Sequence, residues 1–255
     1  MIPLLLLPLL ALTAVAAQPP VSTAPPIADP IGEGQKLRAE LLAQQPAENS
    51  NVPAVLKIRS DDGERAEVPV RLRTELLDDR TWRAIYEATP AGANGGTILN
   101  VTRRANGPNE YTLSTKGGHD ATPLDHAAIF QPFAGSDFSP ADLGLEFLHW
   151  PEQRVLKHEM RRGRPCKVLE SGNPSPAGDA YVRVLSWIDS ETGGLLRAEA
   201  YDARRKLMKE FSIRSFKKVE GRWQLREMEI INYPSDSRTR LEFDLTVDTG
   251  KTPPP

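Results

Sequence analysis

Apolar and polar residues alternate over most of the chain beyond residue 52, which is the pattern of β-strands with one buried face. In the clearest run, Thr239, Leu241, Phe243, Leu245 and Val247 share one face, opposite charged residues. In the second half of the chain the predicted strands are 153–161, 165–171, 180–189, 194–202, 206–218, 222–233 and 237–247. With the runs of the first half, we expect about a dozen strands, joined by short polar turns into an antiparallel meander.

Residues 181–209 depart from this pattern, because both faces of their first strand are apolar. Tyr181, Leu185 and Trp187 share one face, and Val184 and Ile188 share the other. A sheet with one solvated face needs apolar residues on one side only. A sheet of about a dozen strands must also curl, so we expect a second layer over its concave side.

Two helices are predicted, and they are the candidates for that layer. Asp29 followed by proline begins the first helix, which runs to about residue 45. Ser139, again followed by proline and with Asp142 at the third helical position, begins the second over 139–150. Because the second helix interrupts the strands, it is well placed to lie across the sheet.

The N-terminal composition predicts export. Residues 1–17 are uncharged and rich in leucine, and they end in small residues that suit cleavage after about Ala16 or Ala17. A Pro-rich tether over 18–29 precedes a single domain at 30–249, and 250–255 is expected to be a disordered tail. These features predict a periplasmic protein.

Charge and cysteine content narrow the class of protein. The net charge is −2 with both signs interspersed, which argues against nucleic-acid binding. The basic clusters at 161–164 and 204–206 fall at predicted turns, where we interpret them as solvated rather than as docking patches. Cys166 is the only cysteine, so no internal disulfide forms, and its position predicts a small buried side chain in a strand.

No group of residues has the spacing of a catalytic or metal site. His119, Asp120, Asp125 and His126 lie in an irregular polar stretch without the spacing of metal ligands. Ser136 lacks the flanking glycines of a nucleophile elbow. We therefore predict that the protein is not an enzyme and that it uses no cofactor and no metal.

Ordered motifs over about 133–247 resemble the outer-membrane lipoprotein-sorting (LolA/LolB-like) family of periplasmic proteins. The motifs are FAGSDFS at 133–139, DL at 142–143, GRPCKVLE at 163–170, YVRV at 181–184, WID at 187–189, AEAYD at 198–202 and Lys209. The resemblance implies a mainly β (α+β) fold, an unclosed curved antiparallel half-barrel with helices as a lid over an apolar cavity. It also implies a carrier that binds the acyl chains of a lipid or an acylated lipoprotein and functions in lipoprotein sorting.

Eight apolar residues are candidates for the wall of that cavity. They are Trp82, Leu143, Phe147, Leu185, Trp187, Phe211, Leu241 and Phe243. Lipid or acylated lipoprotein is the expected partner, with an inner- or outer-membrane protein as a further one, and we expect a monomer. An alternative is an envelope regulatory or interaction module of the same fold, which senses lipids or binds a membrane protein.

Overall fold

The computed structural model of the protein describes residues 26–90, 95–104, 107–117, 120–174, 176, 181–219 and 221–246. Its strands are β1 (Ser50–Arg59), β2 (Arg65–Asp78), β3 (Thr81–Ala88), β4 (Thr97–Arg104), β5 (Glu110–Thr115), β6 (Thr122–Pro123), β7 (Glu152–Arg161), β8 (Arg164–Gly172), β9 (Arg183–Asp189), β10 (Leu195–Tyr201), β11 (Leu207–Val219), β12 (Arg222–Asn232) and β13 (Ser237–Phe243). The helices are α1 (Pro30–Leu42) and α2 (Pro140–Gly144), with 3₁₀ turns at Ala128–Phe130 and Glu146–His149. The predicted signal segment, most of the tether and the tail lie outside the described residues.

All strands that the structure describes join one antiparallel sheet, in the order β6-β5-β4-β3-β2-β1-β13-β12-β11-β10-β9-β8-β7. The sheet is curved and unclosed, since β6 and β7 are its two edges. Only β1 and β13 pair across a large sequence separation, because the chain returns to its first strand at the end. The fold class predicted from the sequence is confirmed.

The inner face of the sheet carries two apolar cores. The main core joins the inner face of β1–β5 and of β11–β13 to the segment 129–143, and Leu56, Leu99, Val101 and Leu241 are almost fully buried in it. The lid, which consists of α1, α2 and the 3₁₀ turn Glu146–His149, covers a second core over β7–β10, which we call the lid core. Its buried members are Leu37, Phe147, Leu148, Trp150, Val155, Leu169, Tyr181, Val184, Ile188, Ala198 and Ala200.

The other face of β8–β10 carries a small apolar group, which we call the outer cluster. It contains Cys166, Val168 and Trp187, with Leu185 and Leu196 against them. The guanidinium groups of Arg161 and Arg197 lie 5.2 and 5.6 Å from the centroid of the Trp187 ring. Both faces of β9 are thus covered, the inner one by helices and the outer one by arginine side chains.

Helix α1 begins as the sequence predicts and ends three residues earlier than expected. The Asp29 carboxylate accepts a hydrogen bond of 2.8 Å from the Gly32 amide, which caps the helix. Gly34 is buried against the backbone of Gln153 and Arg154, where a Cβ atom would overlap β7. This close approach fixes α1 on the edge of the sheet. None of the helices that the structure describes is long and apolar enough to cross a membrane.

The predicted second helix is shorter than expected. Ser139 caps it in a capping box with Asp142, as the sequence indicates, but α2 ends at Gly144 and a 3₁₀ turn follows. The Tyr111 ring lies so close to Gly144 that a Cβ there would overlap it, and Leu145 takes a left-handed φ of 51°. The chain therefore turns at 144–145, which brings Phe147 down onto the sheet.

The last strand is also shorter than predicted. β13 ends at Phe243, and the Asp244 side chain then accepts hydrogen bonds from the amide and hydroxyl of Thr246. Leu245 lies in this turn and not on the strand, and Val247 lies outside the described residues.

Candidate functional site

The space between the helices and the inner face of the sheet is open at one end. A cavity of about 340 Å³, which we call the mouth pocket, lies between the end of α1, the 3₁₀ turn and the β9–β10 turn. It is lined by Leu41, Gln44, Gln45, Pro46, Trp82, Arg103, Leu145, Phe147, Leu148, Ile188, Gly193 and Leu195. Most of these side chains are apolar, and the volume is near the lower limit of ligand sites, which span roughly 300–1,000 Å³.

Further along the sheet the same space is nearly filled. The region under α2, which we call the closed middle, contains a cavity of only about 30 Å³. It is lined by Asp142, Leu145, Phe147, Tyr181, Val184, Leu195, Ala198, Ala200, Lys209, Phe211 and Ile230. Leu145, Phe147 and Leu195 belong to both linings, so they form the partition between the two regions.

A buried ion pair holds α2 against the sheet in the closed middle. The Lys209 ammonium donates to a carboxylate oxygen of Asp142 at 2.8 Å and to the Asp137 carbonyl at 2.9 Å. The Tyr181 hydroxyl donates to the other oxygen of Asp142 at 2.7 Å, and the Ser139 hydroxyl also donates to this carboxylate. Burial alone would raise the pKa of Asp142, but the Lys209 charge and these hydrogen bonds outweigh it and hold the pKa below its usual value.

A second carboxylate anchors the segment before α2 to β13. Asp137 accepts hydrogen bonds from the hydroxyls of Ser237 and Thr239, and the Thr239 oxygen in turn accepts from the Asp137 amide at 3.0 Å. Thr239 is fully buried. The FAGSDFS motif therefore attaches the lid to the sheet through side chains 100 and 102 residues away in sequence.

The mouth pocket is lined by one partly buried cation, Arg103. The Arg103 Nη2 atom donates to the Leu143 carbonyl at 2.9 Å, and its guanidinium lies 5.0 Å from the Trp82 ring centroid. Its Nε atom is buried and has no hydrogen-bond partner among the described residues. Burial lowers the pKa of Arg103.

Two further titratable groups lie at the same end. Burial raises the pKa of Glu146, although its carboxylate accepts hydrogen bonds from the Tyr111 hydroxyl at 2.8 Å and from the Asn109 amide. Burial and the nearby charges of Arg38 and Arg103 lower the pKa of His149 to about 4. The mouth end therefore holds His149 neutral at ordinary pH.

The structure places six of the eight predicted cavity residues on the inner side of the sheet. Trp82 lines the mouth pocket, Phe147 lines both regions and Phe211 lines the closed middle. Leu143 and Leu241 are buried in the main core, and Phe243 packs against it. Contact of these side chains with a lipid stays a prediction.

Leu185 and Trp187 do not join this group, and their placement corrects the sequence interpretation. Successive side chains of a strand point to opposite faces, and on β9 it is Val184 and Ile188 that face the lid core. The Trp187 indole is in the outer cluster, where its Nε1 atom donates to the Glu159 carboxylate. The alternation separated Val184 and Ile188 from Leu185 and Trp187 correctly, but it gave no sign of which face is inner. It was wrong for Tyr181, which precedes β9 and packs in the lid core.

Sequence reasoning missed the polar residues of the site. Asp142 and Tyr181 stood in the motif pattern, but the only role assigned was that of Asp142 as a helix-capping acid, and Arg103 was not selected. Lys209 stood in the motif pattern without a role. A charged residue at a position that alternation places on an apolar face was the available signal for both Arg103 and Lys209.

Features considered for catalysis or metal binding are explained by local structure. No group of three or more metal-binding side chains occurs among the described residues, and His119 lies outside them. The His126 ring packs edge-on against Phe130. The Ser136 hydroxyl is buried and donates to the Phe133 carbonyl at 2.7 Å, and burial raises the pKa of Cys166.

Solved structures share this architecture. A DUF1329 family protein from Desulfovibrio piger is 20% identical, with a TM-score of 0.70 over 86% of this chain and 92% of that one. A putative outer membrane lipoprotein-sorting protein domain from Vibrio parahaemolyticus is 18% identical, with a TM-score of 0.70 over 86% and 95%. A LolA superfamily protein from Nitrosomonas europaea is 14% identical, with a TM-score of 0.58 over 85% and 92%. At these identities the likeness shows the fold.

Sequence comparison adds a family. The chain matches none of the curated proteins. A family model whose description is "uncharacterized protein" matches residues 120–251, which is just over half of the chain and includes α2, the 3₁₀ turns and strands β6–β13. The chain therefore belongs to this family of uncharacterized proteins, and its curved sheet and lid have the LolA-like fold.

Proposed function

We propose that the protein is a periplasmic carrier that shelters the acyl chains of a lipid or lipoprotein between its sheet and its lid. The observation that supports this most directly is the mouth pocket, an apolar cavity of about 340 Å³ continuous with the lid core. Exposure of an acyl chain to water costs about 0.8 kcal/mol per CH₂ group. An apolar wall that excludes water from the chain therefore supplies most of the free energy of binding.

The two regions under the lid suggest how such a ligand would be held. The mouth pocket has room for part of a long acyl chain, and the Arg103 side chain lines it as the one cation among the lining residues. Deeper binding requires Phe147 and Leu195 to move, because the closed middle has about 30 Å³ of free space. Full loading therefore acts against the Asp142–Lys209 pair, which holds α2 on the sheet.

The finer part of the proposal is a role in outer-membrane lipoprotein sorting, with a membrane protein that loads or unloads the carrier. The name of the Vibrio parahaemolyticus neighbour and the sequence motifs support this role. Export, predicted from residues 1–17, would bring the protein into the compartment between the two membranes.

The test is binding of an acyl chain by the purified protein. Organic extraction followed by mass spectrometry identifies any lipid that copurifies, and a fluorescent fatty acid measures uptake by the delipidated protein. Leu195→Trp fills the partition side of the mouth pocket and is expected to weaken uptake at least tenfold. Leu196→Trp is the matched control, since the neighbouring leucine belongs to the outer cluster.

Equal uptake by the two variants would show that the probe binds elsewhere. Wild-type protein that carries no lipid and takes up no probe contradicts the carrier proposal.

A further inference from the structure

The β11–β12 hairpin extends beyond its neighbours in the sheet. β10 pairs with β11 no further than Ser212, and β13 pairs with β12 no further than Glu227. The segment Arg214–Arg226 therefore pairs only with itself among the described strands. At about 3.3 Å per residue, Phe216 and the residues that follow it on β11 lie roughly 10 Å or more beyond Ser212, the last residue that pairs with β10.

Two aromatic side chains are exposed on this projecting hairpin. Trp223 is 71% exposed and Phe216 is 49% exposed, whereas Trp150 and Trp187 are buried. The cross-strand pairs Phe216–Leu225 and Lys218–Trp223 are two positions apart, so both aromatics share one face of the hairpin. Leu225 on the same face packs against the main core, so the apolar surface continues outward from the sheet.

The hairpin is also strongly basic. Residues 214–226 contain five Lys or Arg residues and one acidic residue, a net charge of +4 in a chain whose total is −2, which leaves −6 for the rest. Asp244 lies near Lys217. The pKa of the Asp244 carboxyl is lowered mainly by its hydrogen bonds with Thr246 and to a smaller extent by the Lys217 charge. Glu227 lies beside Arg240, at the base of the hairpin and not at its tip.

Exposed tryptophan beside lysine and arginine is the chemistry of an interface with anionic lipid. Trp side chains favour the headgroup level of a bilayer, and each basic residue near an anionic surface contributes about 1 kcal/mol. Contiguous exposed apolar surface marks interaction sites, and Trp223 and Phe216 form such a surface with the half-buried Leu225. We propose that the β11–β12 hairpin docks the protein on the surface of a membrane that contains anionic phospholipid, with Trp223 and Phe216 at the headgroup level.

Trp223 makes the proposal measurable with the whole chain. Wild-type protein is mixed with vesicles of phosphatidylcholine that contain either no or 30% phosphatidylglycerol, and binding is measured by flotation. We expect binding to the anionic vesicles only, a blue shift of tryptophan fluorescence, and quenching by lipids brominated near the headgroup. Trp223→Phe removes the shift and the quenching but keeps most of the binding.

The remaining variants separate the aromatic contribution from the charge. Phe216→Ala with Trp223→Ala, and separately Lys217→Glu with Lys218→Glu, are each expected to weaken vesicle binding at least tenfold. Ile31→Ala is the apolar control, because Ile31 is exposed on α1. Arg59→Glu with Arg65→Glu is the charge control. It makes the same change of charge at the exposed β1–β2 turn, at the end of the sheet opposite to the tip of the β11–β12 hairpin. Every variant has the same N-terminus, so any difference reports the hairpin.

Three results would overturn the proposal. They are no vesicle binding by the folded wild type, equal binding to neutral and anionic vesicles, and hairpin variants that bind as the controls do. Because vesicle docking is measured without cargo, it can fail while the carrier function stands, and acyl-chain uptake can fail while docking stands.

Discussion

The two regions under the lid differ in what holds them together. In the closed middle, charges are paired and hydrogen-bonded, and Asp142 has Lys209, Tyr181 and Ser139 as partners. In the mouth pocket the space is open and the charge is only partly satisfied, since Arg103 has a buried donor without a partner among the described residues. The comparison indicates where a ligand enters first and what must break for it to go deeper.

Removal of the cation in the closed middle should have the largest effect. Lys209→Met leaves Asp142 buried without its counter-charge, and loss of one partner of a buried pair costs about 3–5 kcal/mol. Urea unfolding measures this loss, and α2 held less firmly should admit more of a fluorescent fatty acid. Arg104→Ala is the control, because the Arg104–Glu110 pair is exposed and should contribute little to stability. Similar losses for the two variants would contradict a structural role for the buried pair.

Removal of the partition should join the two regions. Phe147→Ala is expected to cost about 3 kcal/mol, at the low end for a buried phenylalanine because its ring already borders empty space. Phe138→Ala is the control, since Phe138 is fully buried in the main core and lines neither region. Both variants should be destabilised in urea, but only Phe147→Ala should bind a longer fatty acid than the wild type does. Gain of binding by both would mean that general loosening opens the lid.

The sequence predicts the parts of this comparison that are local. Alternation along 237–243 identifies a strand, and the Ser139–Asp142 box identifies the start of α2, because each depends on residues a few positions apart. The Asp142–Lys209 pair joins residues 67 apart and the Arg103–Leu143 contact joins residues 40 apart. Such contacts follow only from the strand order of the whole sheet.

The same limit explains the placement of Trp187. Both faces of β9 are apolar, so composition cannot identify the inner face. The distinction arises because the 3₁₀ turn after α2 brings Phe147 and Leu148 onto the side of Val184 and Ile188. That turn depends on the Tyr111 ring beside Gly144, a contact between distant strands and helix.

Titration of His149 should separate the mouth end from the closed middle. Its pKa is about 4 in the folded protein and 6.5 ordinarily. As the pH falls from 6.5 towards 4, the unfolded chain takes up a proton that the folded protein does not, so stability is lost. After a discount for partial exposure we expect a loss of about 1 kcal/mol at pH 5 relative to pH 7.

His149→Gln should abolish that loss in urea unfolding at the two pH values. The Asp142 contribution has the opposite origin, because its folded pKa is lowered, so it disappears only as the pH falls below the ordinary carboxyl value of 3.8. If His149→Gln still loses the same unfolding free energy between pH 7 and pH 5 as the wild type does, another group causes the pH dependence.

The smallest effect concerns the roof of the mouth pocket. Asp29→Ala removes the cap of α1 and should cost about 1 kcal/mol, whereas Asp29→Asn retains an acceptor for the Gly32 amide and should cost much less. Since the C-terminal end of α1 supplies Leu41 to the mouth pocket but nothing to the closed middle, the alanine variant should change the uptake of short fatty acids more than that of long ones. Hydrogen exchange should show faster opening of Pro30–Leu42 with unchanged protection of β11 and β12. Faster exchange in those strands as well would mean that α1 and the closed middle open together, and that the two regions are one cooperative unit.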